Sequence, residues 1–475
     1  MALTRAMALA LLTAALLSTA ARPWAPGLIA WFALVPLLLA LGRERHWGRG
    51  ALLGWLAALG GGLVAFEGVA PAAPWAYPLL VLVASVPGAV VGALYVLVGR
   101  RLGDRAALLA YPVLVAASEF VPAQRWLFGD FANALTLLGV TQIDTPLRLV
   151  AAWSGIGGVG LLVAALNVAV VVLVRERRPL PLIMTGVIAL LLVVLPIPGT
   201  DVRDPARTSL RVAVIQGAVS SVDTLMARFD GEAADRMLGT YATLTDVAAE
   251  RGVDLVVWGE TVLPQPVRPG PVSSSVANAL ASAPVALVGG VSYVGGRSFN
   301  SVFNWNDGAL TEVYRKRALV PFNERHYTAG GPLPPLDVDG VAIGLGVCLD
   351  SVFGSLAREA VRAGARMLVI LTEDGFAGQT VTPEMHLRLS AFRSIETGRW
   401  SVFANQSGPS AFIDQRGRVV ERLPVGRAAG LLVEVPAYVG VTPFVRFGDW
   451  IGALATVVGA MIVILAFAAR PGRST

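Results

Sequence analysis

Two residue types are almost missing: of 475 residues, Lys316 is the single lysine and Cys348 the single cysteine. One cysteine excludes an intrachain disulfide, a multi-cysteine zinc site and a cysteine-ligated cluster. It also leaves no cysteine near the N-terminus for lipid modification. Histidine is nearly as scarce, and His46, His326 and His386 are scattered through the chain. That spacing argues against a histidine metal site, so no metal and no cofactor are expected. Charge is scarce too, at 15% against roughly 25% for an ordinary soluble domain. The 55% of hydrophobic residues and a mean hydropathy of +0.65 argue against a purely soluble chain.

Apolar runs approach the ~20 residues needed to cross a bilayer in eight places. Seven precede residue 200, at about 6–22, 25–41, 50–68, 75–99, 105–121, 155–174 and 180–196, and the eighth covers 447–469. Arg22-Pro23-Trp24-Ala25-Pro26 breaks the first two apart. Residues 1–21 also fit a secretory signal pattern, but another apolar segment follows at once. The expected organisation is a membrane bundle over 1–199, an external domain over 200–446, and a final span with its tail over 447–475.

Arginine sets the orientation. With the N-terminus inside, Arg5, Arg43, Arg45, Arg49, Arg100, Arg101, Arg105, Arg175, Arg177, Arg178, Arg470 and Arg473 face the cytoplasm. Only Arg22, Arg125 and Arg148 fall in the short outer loops. This bias places both termini in the cytoplasm and 200–446 outside. The formal charge of +6 divides accordingly. Residues 200–446 hold 23 basic and 24 acidic side chains, while the remainder holds 15 and 8. The basic character therefore belongs to the membrane part, and no basic stripe marks a nucleic-acid partner.

The external segment reads as alternating strands and helices. Strands are expected at 210–216, 254–258, 285–288, 341–347, 367–371 and 400–404, and helices at 223–251, 353–364 and 383–398. This pattern predicts an α/β domain, with Pro196, Pro198 and Pro205 at its entry and Pro436 and Pro443 at its exit.

Several signals have plain structural readings. Gly155-Ile156-Gly157-Gly158-Val159-Gly160 matches G-x-G-x-x-G, but it opens an apolar span rather than a βαβ turn, so close helix packing is the better reading. Glu67 is either an intramembrane acid or a hydrated interfacial one. Trp24, Trp75 and Trp153 read as interface anchors.

Three other positions place a reactive side chain just beyond a strand: Glu260 after Val256-Val257-Trp258-Gly259, Lys316 in Tyr314-Arg315-Lys316-Arg317, and Cys348 after Val341 to Val347. Each alone has an ordinary reading as a cap, a surface lysine or a buried thiol. Together they stand out, because lysine has been replaced by arginine everywhere else. Lysine is a compact donor with a tunable pKa, and a thiol before a helix N-terminus feels the positive dipole end, which favours the thiolate.

These residues resemble the apolipoprotein N-acyltransferase family, the membrane-embedded branch of the nitrilase, or carbon–nitrogen hydrolase, superfamily. The matching motifs run through nearly the whole chain. They include Ala30-Trp31-Phe32-Ala33-Leu34-Val35-Pro36-Leu37, Arg125-Trp126-Leu127-Phe128, Gln216-Gly217 and Trp258-Gly259-Glu260-Thr261. Tyr314-x-Lys316-x-x-Leu319-Val320-Pro321-Phe322-x-Glu324 is the most specific, and Arg393 to Arg399 and Ala404-Asn405-Gln406-Ser407-Gly408 follow it.

The resemblance implies an αββα sandwich with Glu260 as general base and acid, Lys316 as electrostatic stabiliser and Cys348 as nucleophile. Glu324 and Asp350 would be supporting residues. It further implies a phospholipid acyl donor, a diacylglyceryl apolipoprotein acceptor and residence in the bacterial inner membrane. The sequence departs from the family pattern at Gly259, Asn323, Leu349-Asp350, Ala218, Ser220 and the Glu373-Asp374-Gly375-Phe376-Ala377-Gly378 segment. These changes spare the triad and alter its surroundings. Two other readings stay open: a membrane-tethered amidase using the same triad with water as acceptor, and a transporter or scaffold with a degenerate domain.

Overall fold

The computed structural model describes residues 3–204, 209–268 and 272–469. Pro205, Arg470 and Arg473 lie outside the described residues. The chain divides into two compact units, one of Met1–Ile197, Thr380–Met385 and Phe447–Thr475, the other of Pro198–Gln379 and His386–Arg446.

The first unit is helical. Leu3–Ala21, Trp47–Ala65, Ala76–Leu102, Pro146–Glu176 and Trp450–Ala468 are long and apolar enough to cross a membrane. Asp104–Phe120 with Arg125–Phe131, bent by 55°, makes a sixth if the pair counts as one span. Gly27–Leu41 and Leu180–Val194 fall short of the eight expected spans. Leu180–Val194 has 15 residues, about 22 Å at the α-helical rise, against ~30 Å of hydrocarbon. Gly27–Leu41 starts as a 3-10 turn and is interrupted at Leu34, just before Pro36.

Small residues let these helices touch backbone to backbone. A Cβ on Gly54 would lie 2.0 Å from the Gly88 carbonyl oxygen, so helix Trp47–Ala65 meets Val86–Leu102 only because both carry glycine there. The G-x-G-x-x-G run lies within helix Ala151–Glu176, where Gly155 breaks the helical dihedrals at φ 76°. A Cβ on Gly160 would lie 2.9 Å from Glu119 Oε2, so the run serves close packing. Glu67 is ion-paired with Arg22 at 3.2 Å, with both side chains partly exposed.

The second unit holds two six-stranded sheets. The first uses β1 (Ser209–Gln216), β2 (Leu255–Trp258), β3 (Val285–Val294), β4 (Arg297–Asn306), β5 (Ala309–Arg315) and β12 (Ala429–Pro436), in the order β12-β1-β2-β3-β4-β5. The second uses β6 (Leu336–Val338), β7 (Val341–Val347), β8 (Met367–Thr372), β9 (Ser401–Asn405), β10 (Ala411–Ile413) and β11 (Val419–Arg422), in the order β11-β10-β9-β8-β7-β6. In each sheet three central strands run parallel and the flanking strands pair antiparallel.

Period-2 alternation builds the layers. Leu210, Val212 and Val214 of β1 pack with Val341, Ile343 and Val347 of β7 and Met367, Val369 and Leu371 of β8 in one core between the sheets. Ala213 and Ile215 turn the other way, onto Ala234, Met237, Leu238 and Tyr241 of helix Gly231–Glu250. The expected helix over 223–251 is two helices, Ser221–Met226 and Gly231–Glu250. Asp230 intervenes as an N-cap, accepting from the N–H groups of Glu232 and Ala233.

Candidate active site

Each of the three singled-out side chains stands where a strand of this unit ends. Glu260 lies two residues past β2, and its carboxylate is fully engaged. Oε1 accepts from Lys316 Nζ at 3.1 Å and from Asn300 Nδ2 at 2.7 Å, while Oε2 accepts from the Glu373 N–H at 3.0 Å. The chain reaches this point through a tight crossing, since a Cβ on Gly259 would lie 2.7 Å from the Gln406 nitrogen.

Lys316 directly follows β5 and is 1% exposed. Its Nζ donates to Glu260 and, at 2.9 Å, to Glu324 Oε1. Its own N–H donates to the Asn300 carbonyl at 2.7 Å, and its carbonyl accepts from Gly330 at 2.8 Å. Glu324 Oε2 accepts from the Val320 N–H at 2.7 Å, which closes the loop carrying it. A buried ammonium is tolerable only with such pairing. Two carboxylates and one lysine meet that requirement.

Cys348 directly follows β7 with φ +47°, a left-handed conformation uncommon for a non-glycine residue. The turn after it is held by Asp350, which is buried. Its Oδ2 accepts from Val347 N–H at 3.0 Å and Tyr314 O–H at 2.9 Å, and its Oδ1 accepts from Ala318 N–H at 2.7 Å and Arg317 N–H at 3.1 Å. One carboxylate thus ties the nucleophile corner to the segment that carries Lys316. Burial raises the Asp350 pKa first, and these donors oppose it.

Electrostatics correct one expectation. The residues after Cys348 form a five-residue 3-10 turn, Cys348–Val352, before helix Gly354–Arg362 begins. The thiol therefore does not sit on an α-helix N-terminus. Burial pushes the Cys348 thiol well up and Glu260 adds to this, while Lys316 pulls it down. The proton thus rests on sulfur until a base removes it. Glu260 is raised by burial and by Glu324, against the opposing pull of Lys316. Burial disfavours the Lys316 charge, but Cys348, Glu260 and Glu324 outweigh it and lift its pKa.

The sequence reading overlooked three further residues. Asn300 of β4 bridges the glutamates, donating to Glu260 Oε1 and, at 3.2 Å, to Glu324 Oε1. Asp374 and His386 pair at 2.9 Å, and His386 also reaches the Cys348 carbonyl. Cys348, Asp374 and His386 bring donor atoms within 4.8 Å of one another. Both imidazole nitrogens are already engaged with protein oxygens, so the cluster reads as a hydrogen-bonded system. Scarcity was the available signal, since His386 is one of three histidines.

Residues 211–443 match the Carbon-nitrogen hydrolase family, and residues 13–169 match the Apolipoprotein N-acyltransferase N-terminal domain. The chain is similar to the apolipoprotein N-acyltransferase of Geobacter metallireducens, 29% identical over 92% of this chain and 91% of that one. It is 30% identical to that of Azotobacter vinelandii over 66% of this chain and 65% of the other. Among solved structures, the carbon-nitrogen hydrolase of Helicobacter pylori aligns at 15% identity and TM-score 0.39, over 52% of this chain and 92% of that one. An amidase from Nesterenkonia sp. aligns at 19% and 0.37, over 49% and 92%.

Proposed function

The chain belongs to the apolipoprotein N-acyltransferase family, and we propose on that footing that it moves an acyl chain from a membrane phospholipid, through a thioester on Cys348, to the α-amine of a diacylglyceryl-cysteine lipoprotein. The observation that carries this reading is the buried lysine held between Glu260 and Glu324, on a segment that Asp350 ties to the left-handed corner of the lone cysteine.

In the first half-reaction Glu260 takes the thiol proton as sulfur attacks the ester carbonyl carbon. Lys316 and backbone N–H groups stabilise the oxyanion. The intermediate collapses, the ester C–O bond breaks, and Glu260 returns the proton to the departing lysophospholipid oxygen. In the second, the lipoprotein amine attacks the thioester carbonyl and loses its proton to Glu260. The C–S bond breaks, an amide forms, and the proton returns to sulfur. Glu324 and Asn300 hold Glu260 and Lys316 in register, and Asp350 holds the corner. No cofactor is needed for either half.

The membrane setting follows the same reading. The apolar helices embed the chain in the inner membrane, the arginine bias keeps both termini cytoplasmic, and the α/β unit faces outward, where both lipid substrates are anchored. With the two short apolar helices, Gly27–Leu41 and Leu180–Val194, the bundle reaches eight passes.

The test is reconstitution of the purified chain with phospholipid and a synthetic diacylated lipopeptide. The proposal expects an N-acylated, triacylated peptide that Cys348→Ala does not make. Free fatty acid in place of triacylated peptide would mark an amidase-type hydrolase. Full transfer by Cys348→Ala would exclude the covalent route.

A further inference from the structure

A second buried polar group touches Cys348 through its backbone, and the mechanism above does not use it. His386, in helix Thr382–Thr397, is 8% exposed, and Asp374 is 2% exposed. The imidazole Nδ1 lies 2.9 Å from Asp374 Oδ1 and 3.2 Å from Oδ2. Its Nε2 lies 2.8 Å from Ser351 Oγ and 3.1 Å from the Cys348 carbonyl oxygen. Ser351 Oγ in turn donates to that same carbonyl at 2.9 Å.

Counting protons favours one charge state. A carboxylate and a carbonyl only accept hydrogen bonds. With the Ser351 hydroxyl donating to the Cys348 carbonyl, its oxygen presents a lone pair to Nε2. Nδ1 therefore needs a proton for Asp374, and Nε2 needs one for Ser351 and the Cys348 carbonyl. A neutral ring would leave one nitrogen lone pair facing an oxygen lone pair in a buried site. Asp374 is itself fixed as an acceptor, since Asn405 Nδ2 donates to Oδ2 at 2.6 Å.

We propose that His386 is a positioning residue for the nucleophile: an imidazolium clamped by Asp374 that donates to the Cys348 carbonyl and fixes the left-handed corner from which the sulfur attacks. The inference rests on Cys348 being the nucleophile, as proposed above. The conformation it stabilises is one that a cysteine adopts rarely, and Asp350 restrains the same corner. The groups facing the ring are Asp374 from the loop after β8, Cys348 and Ser351 from the corner, Thr372 of β8 and the Phe403 ring of β9 at 5.1 Å. Of these, Asp374 and Cys348 titrate, and Glu260 acts on the ring through its charge. Burial disfavours the imidazolium, but Asp374, the Cys348 carbonyl and Glu260 outweigh it and hold the histidine above its usual pKa.

The experiment is an NMR titration of the full chain in detergent micelles with ¹⁵N-labelled histidine. His46 and His326 are exposed, so His46→Asn and His326→Asn assign the His386 signals by elimination without disturbing the site. Both His386 nitrogens are expected to be protonated at neutral pH and to lose a proton only above the usual histidine range, with Asp374→Asn moving that loss to lower pH. A neutral His386 ring at neutral pH would overturn the proposal.

The functional arm measures alkylation of Cys348 by iodoacetamide and acyl transfer against pH. His386→Asn should lower both rates by about ten- to a hundredfold, leave KM for the lipopeptide unchanged and remove the alkaline decline in acyl transfer expected of the native chain. Native rates and an unchanged pH profile in His386→Asn would refute it. Alkylation needs neither lipid, so its loss in His386→Asn stands even if the chain's acyl acceptor is water.

Discussion

Lys316 Nζ lies 3.1 Å from Glu260 Oε1, and both side chains are shut away from solvent. A buried lysine here is costly to the fold, since each ion loses its hydration on burial. The pair holds a positive charge beside a thiol whose proton must leave. Arginine occupies every other basic position in the chain, and it is longer and planar where this pocket takes a compact donor. Lys316→Arg should therefore lose most transfer activity despite keeping the charge.

Lys316→Met tests the structural side of the same contact. It leaves Glu260 and Glu324 buried side by side without their cation. Breaking a buried pair in this way costs about 3–5 kcal/mol, to be read as a fall in thermal unfolding temperature. Adding Glu260→Gln and Glu324→Gln to Lys316→Met should restore much of that stability and none of the activity.

The pH dependence follows from Glu260. Burial and the neighbouring Glu324 raise its pKa, and it serves as the base only when ionised. Activity should be full above that raised value and fall as pH drops through it, so the acid limb lies above the ordinary carboxylate range. Glu260→Gln should remove the limb and lower turnover by about 10²–10⁴. A pH–rate profile of the two proteins checks both statements.

Asn300 donates to both glutamates from one amide nitrogen. Asn300→Leu removes those donors and should lower turnover while leaving lipopeptide KM near native. Asn300→Asp, which sets a third carboxylate against Glu260, should be worse than Asn300→Leu. Steady-state kinetics of the two variants rank them.

Asp350 accepts from four donors around the corner. Asp350→Ala removes their shared acceptor, at about 1–3 kcal/mol for each buried group left unsatisfied. The expected result is a lower unfolding temperature together with slower Cys348 alkylation. Asp350→Asn, which keeps one acceptor oxygen, should fall between Asp350→Ala and the native chain.

The parallel strands at the centre of each sheet were legible in the sequence because they are short, apolar runs with β-branched residues. The predicted segments at 341–347 and 367–371 overlap β7 and β8 almost residue for residue. The flanking strands were not. β11 is exposed along its whole length, and β4 and β5 carry Asn, Ser, Thr and Glu between their apolar residues, so neither gives a clean apolar run. Their turns, Gly295-Gly296 and Asp307-Gly308, were the readable hairpin marks, with positive φ at all four residues. At the site, rarity exposed Lys316 and Cys348. Asn300 and His386 carry no local signature, because their meaning depends on which strands and helices the fold brings beside them. The dipole argument for Cys348 failed for a local reason, since a 3-10 turn separates the thiol from the helix expected at 353–364.

The central claim is a covalent acyl-enzyme, and intact-protein mass spectrometry of the purified chain incubated with a single defined phospholipid tests it most directly. The account predicts one added acyl mass, located on Cys348 by fragmentation, lost on adding the diacylated lipopeptide and recovered on the peptide amine. A chain that acylates the lipopeptide while its own mass never changes, or that carries the acyl group on a residue other than Cys348, would contradict it.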